Sequence, residues 1–293
     1  MDKEQQAIER LRLAAEMSET YYDGAPLVVT TSGGKDSDVC LRLAEAAGIT
    51  YEVQHNHTSA DAPETVYHVR DTFRRLEEKG VKCTINWPTY KGKPVTMWNL
   101  IPQKLMPPTR IARYCCAILK EQSGKDRMIT TGVRRAESTK RKNTRGIYEI
   151  NGKGKPVVIL NNDNDDRRLF ETCTLKAKRV CNPIIDWTDR DVWDYIEAEH
   201  IQTNPLYCEG FSRVGCIGCP MAGKRGREIE FARWPTYRRA YIRAFDKMLE
   251  VIKERGKMNG TWGIETTGED VFNWWMEYDI VPGQIAFEEL EEV

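Results

Sequence analysis

Six consecutive residues, Ser32-Gly33-Gly34-Lys35-Asp36-Ser37, have the types and order of an anion-binding loop. They follow a β-branched run at residues 26–31 that predicts a buried strand, and they lead into a helical pattern that ends at Gly48. Glycines let the backbone approach a ligand, successive N–H groups point at an anion, and the helix dipole favours its negative charge. Lys35 adds a positive charge and the serines add hydroxyl donors, although the spacing is not that of a Walker A loop.

Four of the nine cysteines form two close groups. Cys115 and Cys116 are adjacent, and Cys216 and Cys219 form a C-x-x-C. Four thiolates suit a tetrahedral zinc ion or a [4Fe–4S] cluster. An adjacent pair is unusual in zinc fingers, so the spacing favours iron–sulfur, while zinc, a redox dithiol and unreactive buried thiols stay open. Cys208, near the second group, is either a further ligand or a loop thiol.

The elements that must position these residues alternate between strand and helix. This alternation predicts an α/β fold, with an open, mostly parallel sheet and helices on both faces. Ligands of such sheets lie beyond the carboxyl ends of the strands, which is where the loop, Arg134 and Arg135 occur. Apolar patterns predict further strands at 51–55, 82–86 and 126–133, and helices at 3–20 and 64–78.

The remainder of the chain changes character after residue 146. A capping-box-like Thr188-x-x-Asp191 predicts a helix that ends near His200, and later patterns predict helices at 228–254 and 269–277. We therefore expect an α/β domain with the anion-binding loop and the cysteine site at residues 1–220, followed by a helical extension at 221–293.

Composition describes a globular chain without a membrane span. The 293 residues have 44 basic and 44 acidic side chains, and no apolar stretch approaches the ~18 residues that a span requires. The polar N-terminal residues lack a signal-peptide pattern, which predicts a cytoplasmic protein and thiols rather than disulfides. Residues 134–145 and 224–243 are locally basic, so an anionic partner is compatible with the zero net charge.

Several motifs together resemble a known family. The loop resembles the pyrophosphate-binding loop of the adenine-nucleotide α-hydrolase superfamily, whose fold we therefore expect. Residues 113–120, around the cysteine pair, and residues 131–138 resemble the double-cysteine and arginine motifs of iron–sulfur adenylyl-sulfate reductases. Segments 63–65, 182–193, 204–207 and 215–219 match further motifs of that family in the same order. Over about residues 25–220, the chain resembles the phosphoadenosine/adenosine phosphosulfate reductase-like family.

This resemblance implies a ligand set. It implies a [4Fe–4S] cluster on Cys115, Cys116, Cys216 and Cys219, and ATP, adenylyl sulfate (APS) or phosphoadenylyl sulfate (PAPS) as the nucleotide, with Mg²⁺. The expected catalytic residues are Lys35, Arg134 and Arg135, whose charges would neutralise phosphates. The expected nucleotide contacts are Ser32, Gly33, Gly34, Lys35, Asp36, Ser37, Gly132, Arg134 and Arg135.

One departure from the family pattern bears on the reaction. The reductases use a nucleophilic cysteine in a C-terminal tail, whereas this sequence has no cysteine after Cys219 and is acidic at 288–292. That favours chemistry without a protein thiol, in which an external nucleophile attacks the α-phosphorus of ATP and pyrophosphate leaves. It points to the branch of the family that serves DNA phosphorothioation beside a cysteine desulfurase. The alternatives are a sulfite-releasing reductase that uses Cys208, and a non-catalytic nucleotide sensor or nucleic-acid-binding subunit.

The basic segment after the last cysteine is a candidate contact for DNA or RNA. Such a face could hold phosphates and stack bases, or its aromatics could pack in the core while its cations stay solvated. Its cations are Lys224, Arg225, Arg227, Arg233, Arg238, Arg239 and Arg243, interleaved with Phe231, Trp234, Tyr237 and Tyr241.

Overall fold

The computed structural model describes residues 2–121, 124, 126–151, 158–160, 178–256 and 262–277. The chain divides into two compact units that interleave along the sequence. The sheet unit comprises Met1–Asn56, Pro63–Asn86 and Ser123–Val214, and the helical unit comprises His57–Ala62, Trp87–Gln122 and Gly215–Val293. The single boundary expected at residue 220 stays a prediction, and the acidic segment 288–292 lies outside the described residues.

The described strands and helices follow the predicted alternation. The strands are β1 (Leu27–Thr31), β2 (Tyr51–Asn56), β3 (Cys83–Asn86), β4 (Thr89–Tyr90), β5 (Lys93–Pro94), β6 (Met128–Thr130), β7 (Tyr148–Asn151), β8 (Val158–Leu160) and β9 (Lys178–Cys181). The helices are α1 (Lys3–Tyr21), α2 (Lys35–Ala47), α3 (Pro63–Glu78), α4 (Met97–Lys104), α5 (Thr139–Thr144), α6 (Asp189–Ala198), α7 (Gly223–Arg233), α8 (Pro235–Glu254) and α9 (Gly268–Trp275). Within the described ranges, no helix is both long enough and apolar enough to cross a membrane.

The main sheet has seven strands in the order β3-β2-β1-β6-β9-β7-β8. The first five strands of this order, β3, β2, β1, β6 and β9, run parallel to one another. Strand β7 pairs antiparallel with both β9 and β8. The central register places Val29 beside Val53 on one side and Thr130 on the other. An open, mostly parallel α/β sheet is therefore confirmed, and the loop follows β1, the middle one of its five parallel strands.

Alternate residues of β1 lie on opposite faces of the sheet, as a pleated strand requires. Leu27 and Val29 belong to the large core cluster, together with buried residues of α1, α2, α3 and α6. Val28 belongs to a separate small cluster with Ile129 and Val180. Burial on both faces explains why the run before the loop is continuously apolar.

Helix α2 starts earlier than the apolar pattern alone indicates. It begins at Lys35 with Gly34 as its N-cap residue, and it ends at Gly48, which has a φ of 65°. Lys35, Asp36 and Ser37 therefore occupy the first helical turn, where the backbone N–H groups have no partners within the helix. This start places the charged residues of the loop directly beside those N–H groups.

The helical unit contains α4, α7, α8 and α9. The single helix predicted at 228–254 is wrong, because the chain forms two helices separated at Trp234. Pro235 is the first residue of α8, and its ring and missing N–H prevent a continuous helix. The helix expected at 269–277 is confirmed as α9, and Trp275 of that helix packs with Tyr241 and Phe245 of α8, whereas Phe272 packs with Phe231 of α7.

Candidate functional site

The loop after β1 is held against α3. Gly33 has a φ of 72°, and a Cβ atom there would lie 2.9 Å from side-chain carbons of Thr65 and Val69, so only glycine fits. The side-chain amide of Asn204 donates to the carbonyl oxygen of Gly33 and to Thr65 Oγ1, each at 3.0 Å. These contacts hold the loop in one conformation beside α2.

Hydrogen bonds inside the loop occupy part of its donors. Ser37 Oγ donates to the carbonyl of Gly34 at 2.6 Å, and the N–H of Gly33 donates to Thr31 Oγ1 at 3.1 Å. The N–H of Lys35 donates to the hydroxyl of Tyr207 at 3.0 Å, and burial raises the pKa of Tyr207 to about 12. Ser32 is exposed, and its Oγ lies 3.5 Å from Ser37 Oγ.

Two buried cations meet at the start of α2. The side chains of Lys35 and Arg134 are only 6 % and 4 % exposed. Lys35 Nζ lies 3.2 Å from Asp36 and 2.8 Å from Asp189 Oδ1. Arg134 donates from Nε to Asp36 at 2.6 Å and from Nη2 to the same Asp189 oxygen at 3.0 Å. The structure thus unites two predicted cations in one network with two carboxylates.

Gly132 allows this network to form. A Cβ atom at this position would lie 2.8 Å from the backbone carbonyl carbon of Asp36, which cannot move aside as a flexible side chain could. The close approach brings the segment that follows β6, including Arg134, against the first turn of α2.

Arg135 has a different setting from Arg134. Its N–H donates to the carbonyl of Ile185 at 2.8 Å, and its Nε lies 3.4 Å from the carbonyl oxygen of Arg145. Its guanidinium therefore contacts backbone oxygen, and the expected phosphate contact of Arg135 stays a prediction.

Sequence reasoning missed Asp189, Tyr207 and Asn204 as site residues. Asp189 is the first residue of α6, where an acidic residue is explained by the helix dipole alone. Tyr207 and Asn204 belong to a segment assigned to the cysteine motif, and no local pattern connects them to the loop. The hydrogen bond and charge of Lys35 lower the pKa of Asp189, and Arg134 acts in the same direction.

The helical unit contains all four expected cysteine ligands. Cys115 immediately precedes a π-helical turn, Cys116–Lys120. Cys216 is buried, with Sγ 3.3 Å from Thr58 Oγ1, and it pairs with Asp61 in an isolated antiparallel bridge.

The turn from Cys216 to Cys219 is tightly packed. Gly218 has a φ of 72°, and a Cβ atom there would lie 2.5 Å from the ring of Phe231. The N–H of Gly218 donates to Glu230 at 2.6 Å, and the N–H of Cys219 donates to the carbonyl of Cys216. These contacts position both sulfur-bearing residues of the C-x-x-C.

The thiols influence one another electrostatically. A hydrogen bond between the adjacent thiols lowers the pKa of Cys116 to about 5, assisted by Arg113, and raises the pKa of Cys115. Burial raises the pKa of Cys216 to about 11. Cys216 and Cys219 also raise the pKa of Cys115.

Lys120 contributes a positive charge beside the cysteines. Its pKa is raised by Cys216 first, and then by Asp61, Cys219 and Cys116. A cation in this position favours negative charge on the sulfur atoms.

The remaining cysteines have other environments. Cys40 and Cys181 are buried core residues and Cys83 is half-buried, whereas Cys173 lies outside the described residues. Cys208 is exposed and follows Tyr207 in the sheet unit, whereas the four expected ligands belong to the helical unit.

The basic segment at residues 224–243 does not present all of its arginines and aromatic residues on one exposed face. Phe231 and Tyr241 are buried, and they contact each other and Trp275. Arg227 is buried too, and it donates to the carbonyl of Trp275 at 2.6 Å. The aromatics are needed for the core of this small unit, so they are not available to stack on bases; Arg239 and Arg243 remain exposed.

The loop, the glycine contact and the cations at the carboxyl ends of parallel strands define an adenine-nucleotide α-hydrolase-type domain with a PP-loop. The family model of the phosphoadenosine phosphosulfate reductase domain matches residues 26–222. The chain belongs to this family.

Individual sequences and a solved structure are also similar to the chain. An uncharacterized protein of Methanocaldococcus jannaschii is 30% identical over 232 residues, which are 77% of this chain and 47% of that protein. The chain thus spans about half the length of this relative. An adenosine 5'-phosphosulfate reductase of Bacillus cereus is 26% identical over 71% of this chain and 79% of its own length. A crystal structure of phosphoadenylyl-sulfate reductase from Candida auris, in a phosphate complex, aligns with a TM-score of 0.46 at 16% identity, covering 72% of this chain and 88% of that one.

Proposed function

We propose that the sheet unit binds the phosphates of an adenine nucleotide and that the reaction occurs at the α-phosphate. The observation that supports this is the convergence of two buried cations, Lys35 and Arg134, on one point beside the first turn of α2. Buried cations at a helix N-terminus form a preorganised anion site. We favour ATP as the nucleotide, with pyrophosphate as the leaving group.

In this reaction an external nucleophile attacks the α-phosphorus in line with the departing pyrophosphate. As the new bond to phosphorus forms, the bond to the bridging oxygen breaks, and its electron pair stays on pyrophosphate. Lys35 and Arg134 would neutralise the charge that develops on the phosphate oxygens. Removing one such preorganised donor typically slows a reaction by about 10²–10³-fold.

Nucleotide phosphates are normally bound together with Mg²⁺. We assign the protein contact with that ion to Asp36, whose side chain is 26 % exposed at the loop. Ser32, Gly33, Gly34 and Ser37 would contribute backbone and hydroxyl donors, and Arg135 stays a proposed phosphate contact.

We further propose that Cys115, Cys116, Cys216 and Cys219 hold a [4Fe–4S] cluster. The donor set fits this group: four thiols influence one another, and Lys120 supplies a compensating positive charge. A cluster with four thiolate ligands would supply electrostatic and structural support or electron transfer. The chain's own contribution is to hold the thiols through the Gly218 turn and the bridge between Asp61 and Cys216.

The proposed cellular role is sulfur transfer in the cytoplasm. The nucleophile that attacks ATP would be a phosphate oxygen of the acceptor, DNA or RNA, which becomes adenylylated as pyrophosphate leaves. Hydrosulfide, released by a thiol reductant from a donor such as a cysteine desulfurase persulfide, would then attack that nucleic-acid phosphorus, and AMP would leave with the oxygen, as in phosphorothioation. The exposed cations Arg239 and Arg243 are available for a nucleic-acid contact, although Tyr241, which lies between them in the sequence, is buried and Tyr237 is half-buried.

A second candidate is a reductase that releases sulfite from APS or PAPS. It is favoured by the family and by Cys208, an exposed thiol that follows Tyr207, whose hydroxyl contacts the loop. A third reading, a nucleotide sensor, predicts binding without turnover.

Product analysis separates these candidates. The anaerobically purified chain is given ATP, APS and PAPS in parallel, with thioredoxin and candidate nucleic acids present. The proposal predicts pyrophosphate from ATP and no sulfite, and it predicts loss of pyrophosphate release in Lys35→Ala. A matched control is Lys3→Ala, which removes a surface ion pair with Asp191. Sulfite that disappears in Cys208→Ser would establish the reductase instead, and ATP binding without product would establish the sensor.

A further inference from the structure

Asp189 has a position that the proposed function leaves unexplained. Its Oδ1 atom lies 2.8 Å from Lys35 Nζ and 3.0 Å from Arg134 Nη2, so one oxygen bridges both buried cations. A phosphate oxygen that used both cations would need the same donors. Resting on the proposed function, we propose that the Asp189 carboxylate is a built-in competitor of the nucleotide phosphates, and that Oδ1 marks the position a phosphate oxygen takes.

The charges of the network support competition. Lys35 and Arg134 contribute two positive charges, and Asp36 and Asp189 contribute two negative charges, so the group is neutral. An anion that approached the cations with both carboxylates in place would meet a like charge at contact distance. One carboxylate therefore has to leave for a phosphate to bind both cations.

Asp189 is the carboxylate that can leave. Its side chain is 65 % exposed, so rotation into water exchanges its two ionic contacts for hydration. Asp36, in contrast, is only 26 % exposed and belongs to the same helical turn as Lys35.

The start of α6 does not depend on the Asp189 side chain. Thr188 and Asp191 form a reciprocal capping box, with Asp191 N donating to Thr188 Oγ1 and Thr188 N donating to Asp191. The helix thus keeps its cap when Asp189 moves. The consequence is selectivity: weakly held anions do not displace the carboxylate, whereas a nucleotide with further contacts does.

The test compares two isosteric variants of α6. Asp189→Asn removes the competing charge, and Asp194→Asn removes the same charge from an equally exposed residue that pairs with Arg190. Pyrophosphate and orthophosphate are titrated calorimetrically into the full chain with EDTA present, and melting temperatures are recorded with and without pyrophosphate. We expect Asp189→Asn to bind both anions about five- to tenfold more tightly than wild type, and Asp194→Asn to bind them as wild type does.

Melting provides a second readout. Asp189→Asn should melt at a lower temperature than wild type without anion, because Lys35 and Arg134 lose a partner. Pyrophosphate should raise the melting temperature of Asp189→Asn by more than it raises that of wild type. If wild type binds pyrophosphate and Asp189→Asn binds it equally or more weakly, the competitor role is overturned and the proposed function stands. Absence of pyrophosphate binding in all three proteins would overturn both.

Discussion

His68 Nε2 lies 3.0 Å from a carboxylate oxygen of Asp38, and both side chains are buried. The contact joins α3 to the first turns of α2, directly after the loop formed by residues 32–37. Burial raises the pKa of Asp38, the hydrogen bond and charge of His68 oppose the rise, Arg75 also opposes it, and Asp36 adds to it. The folded protein therefore holds a proton on Asp38 more tightly than the unfolded chain does.

The first prediction is a pH dependence of stability. A carboxyl whose folded pKa is raised stabilises the fold fully at low pH, and this contribution is lost as pH rises from about 4, the unfolded value, through the raised pKa. In Asp38→Asn the group cannot ionise. The free energy of unfolding of Asp38→Asn, relative to wild type, should therefore increase across this window in urea titrations.

Asp71→Asn is the matched control for that experiment. Asp71 lies on α3 and is 63 % exposed in a surface pair with Arg74. Its difference from wild type should change little with pH. Parallel pH curves for wild type and Asp38→Asn would show that the ionisation of Asp38 does not affect stability.

Gly132→Ala should damage the start of α2. The added Cβ would lie 2.8 Å from backbone of Asp36, and such overpacking usually costs roughly 1–3 kcal/mol. We expect lower stability in urea and weaker ATP binding, since the loop must shift. Gly263→Ala is the control, because its Cβ would make an ordinary 3.6 Å contact with Thr266. Equal behaviour of the two variants would contradict the steric argument.

Arg134→Lys should weaken pyrophosphate binding by about tenfold or more, because one ammonium cannot reproduce contacts made by two guanidinium nitrogens. Those contacts are Nε to Asp36 and Nη2 to Asp189. Arg135→Lys should have a smaller effect, since its Nε faces the carbonyl of Arg145.

Isothermal titration of the two variants measures this difference. Arg190→Lys, at a side chain 89 % exposed on α6, is the control for a general loss of arginine. If Arg135→Lys loses as much affinity for pyrophosphate as Arg134→Lys does, both arginines are assigned to the phosphates.

Cys216→Ser should lose bound iron and sulfide when it is purified anaerobically. Cys216 is buried beside Thr58, and serine oxygen is a poor substitute for a thiolate toward iron. Cys208→Ser should keep its iron, because Cys208 is exposed and belongs to the other unit. The measurement is the content of iron and acid-labile sulfide in the wild type and in both variants. Zinc in place of iron in the wild type would contradict the cluster and indicate a tetrahedral zinc site instead.

Much of the fold was predictable because its signals are local. The β-branched run before Ser32 and the helical pattern that ends at Gly48 depend on neighbouring residues alone, so they indicated β1, the loop and α2 correctly. The break at Pro235 is also a local signal, because a proline cannot continue the helix that precedes it.

The sequence by itself determined a mostly parallel α/β sheet, a glycine-rich loop between a strand and a helix, and two groups of thiols, and it predicted that the loop binds an anion with help from Lys35 and Arg134. Only the tertiary structure decided that Asp189 bridges those cations, that Tyr207 accepts from the loop, and that the aromatics near Arg227 are core residues. The reason is physical: periodicity and propensity act within a few residues, whereas contacts between the starts of α2 and α6 arise when distant segments pack together. A single acidic residue at a helix start has the same local pattern whether it faces water or two buried cations.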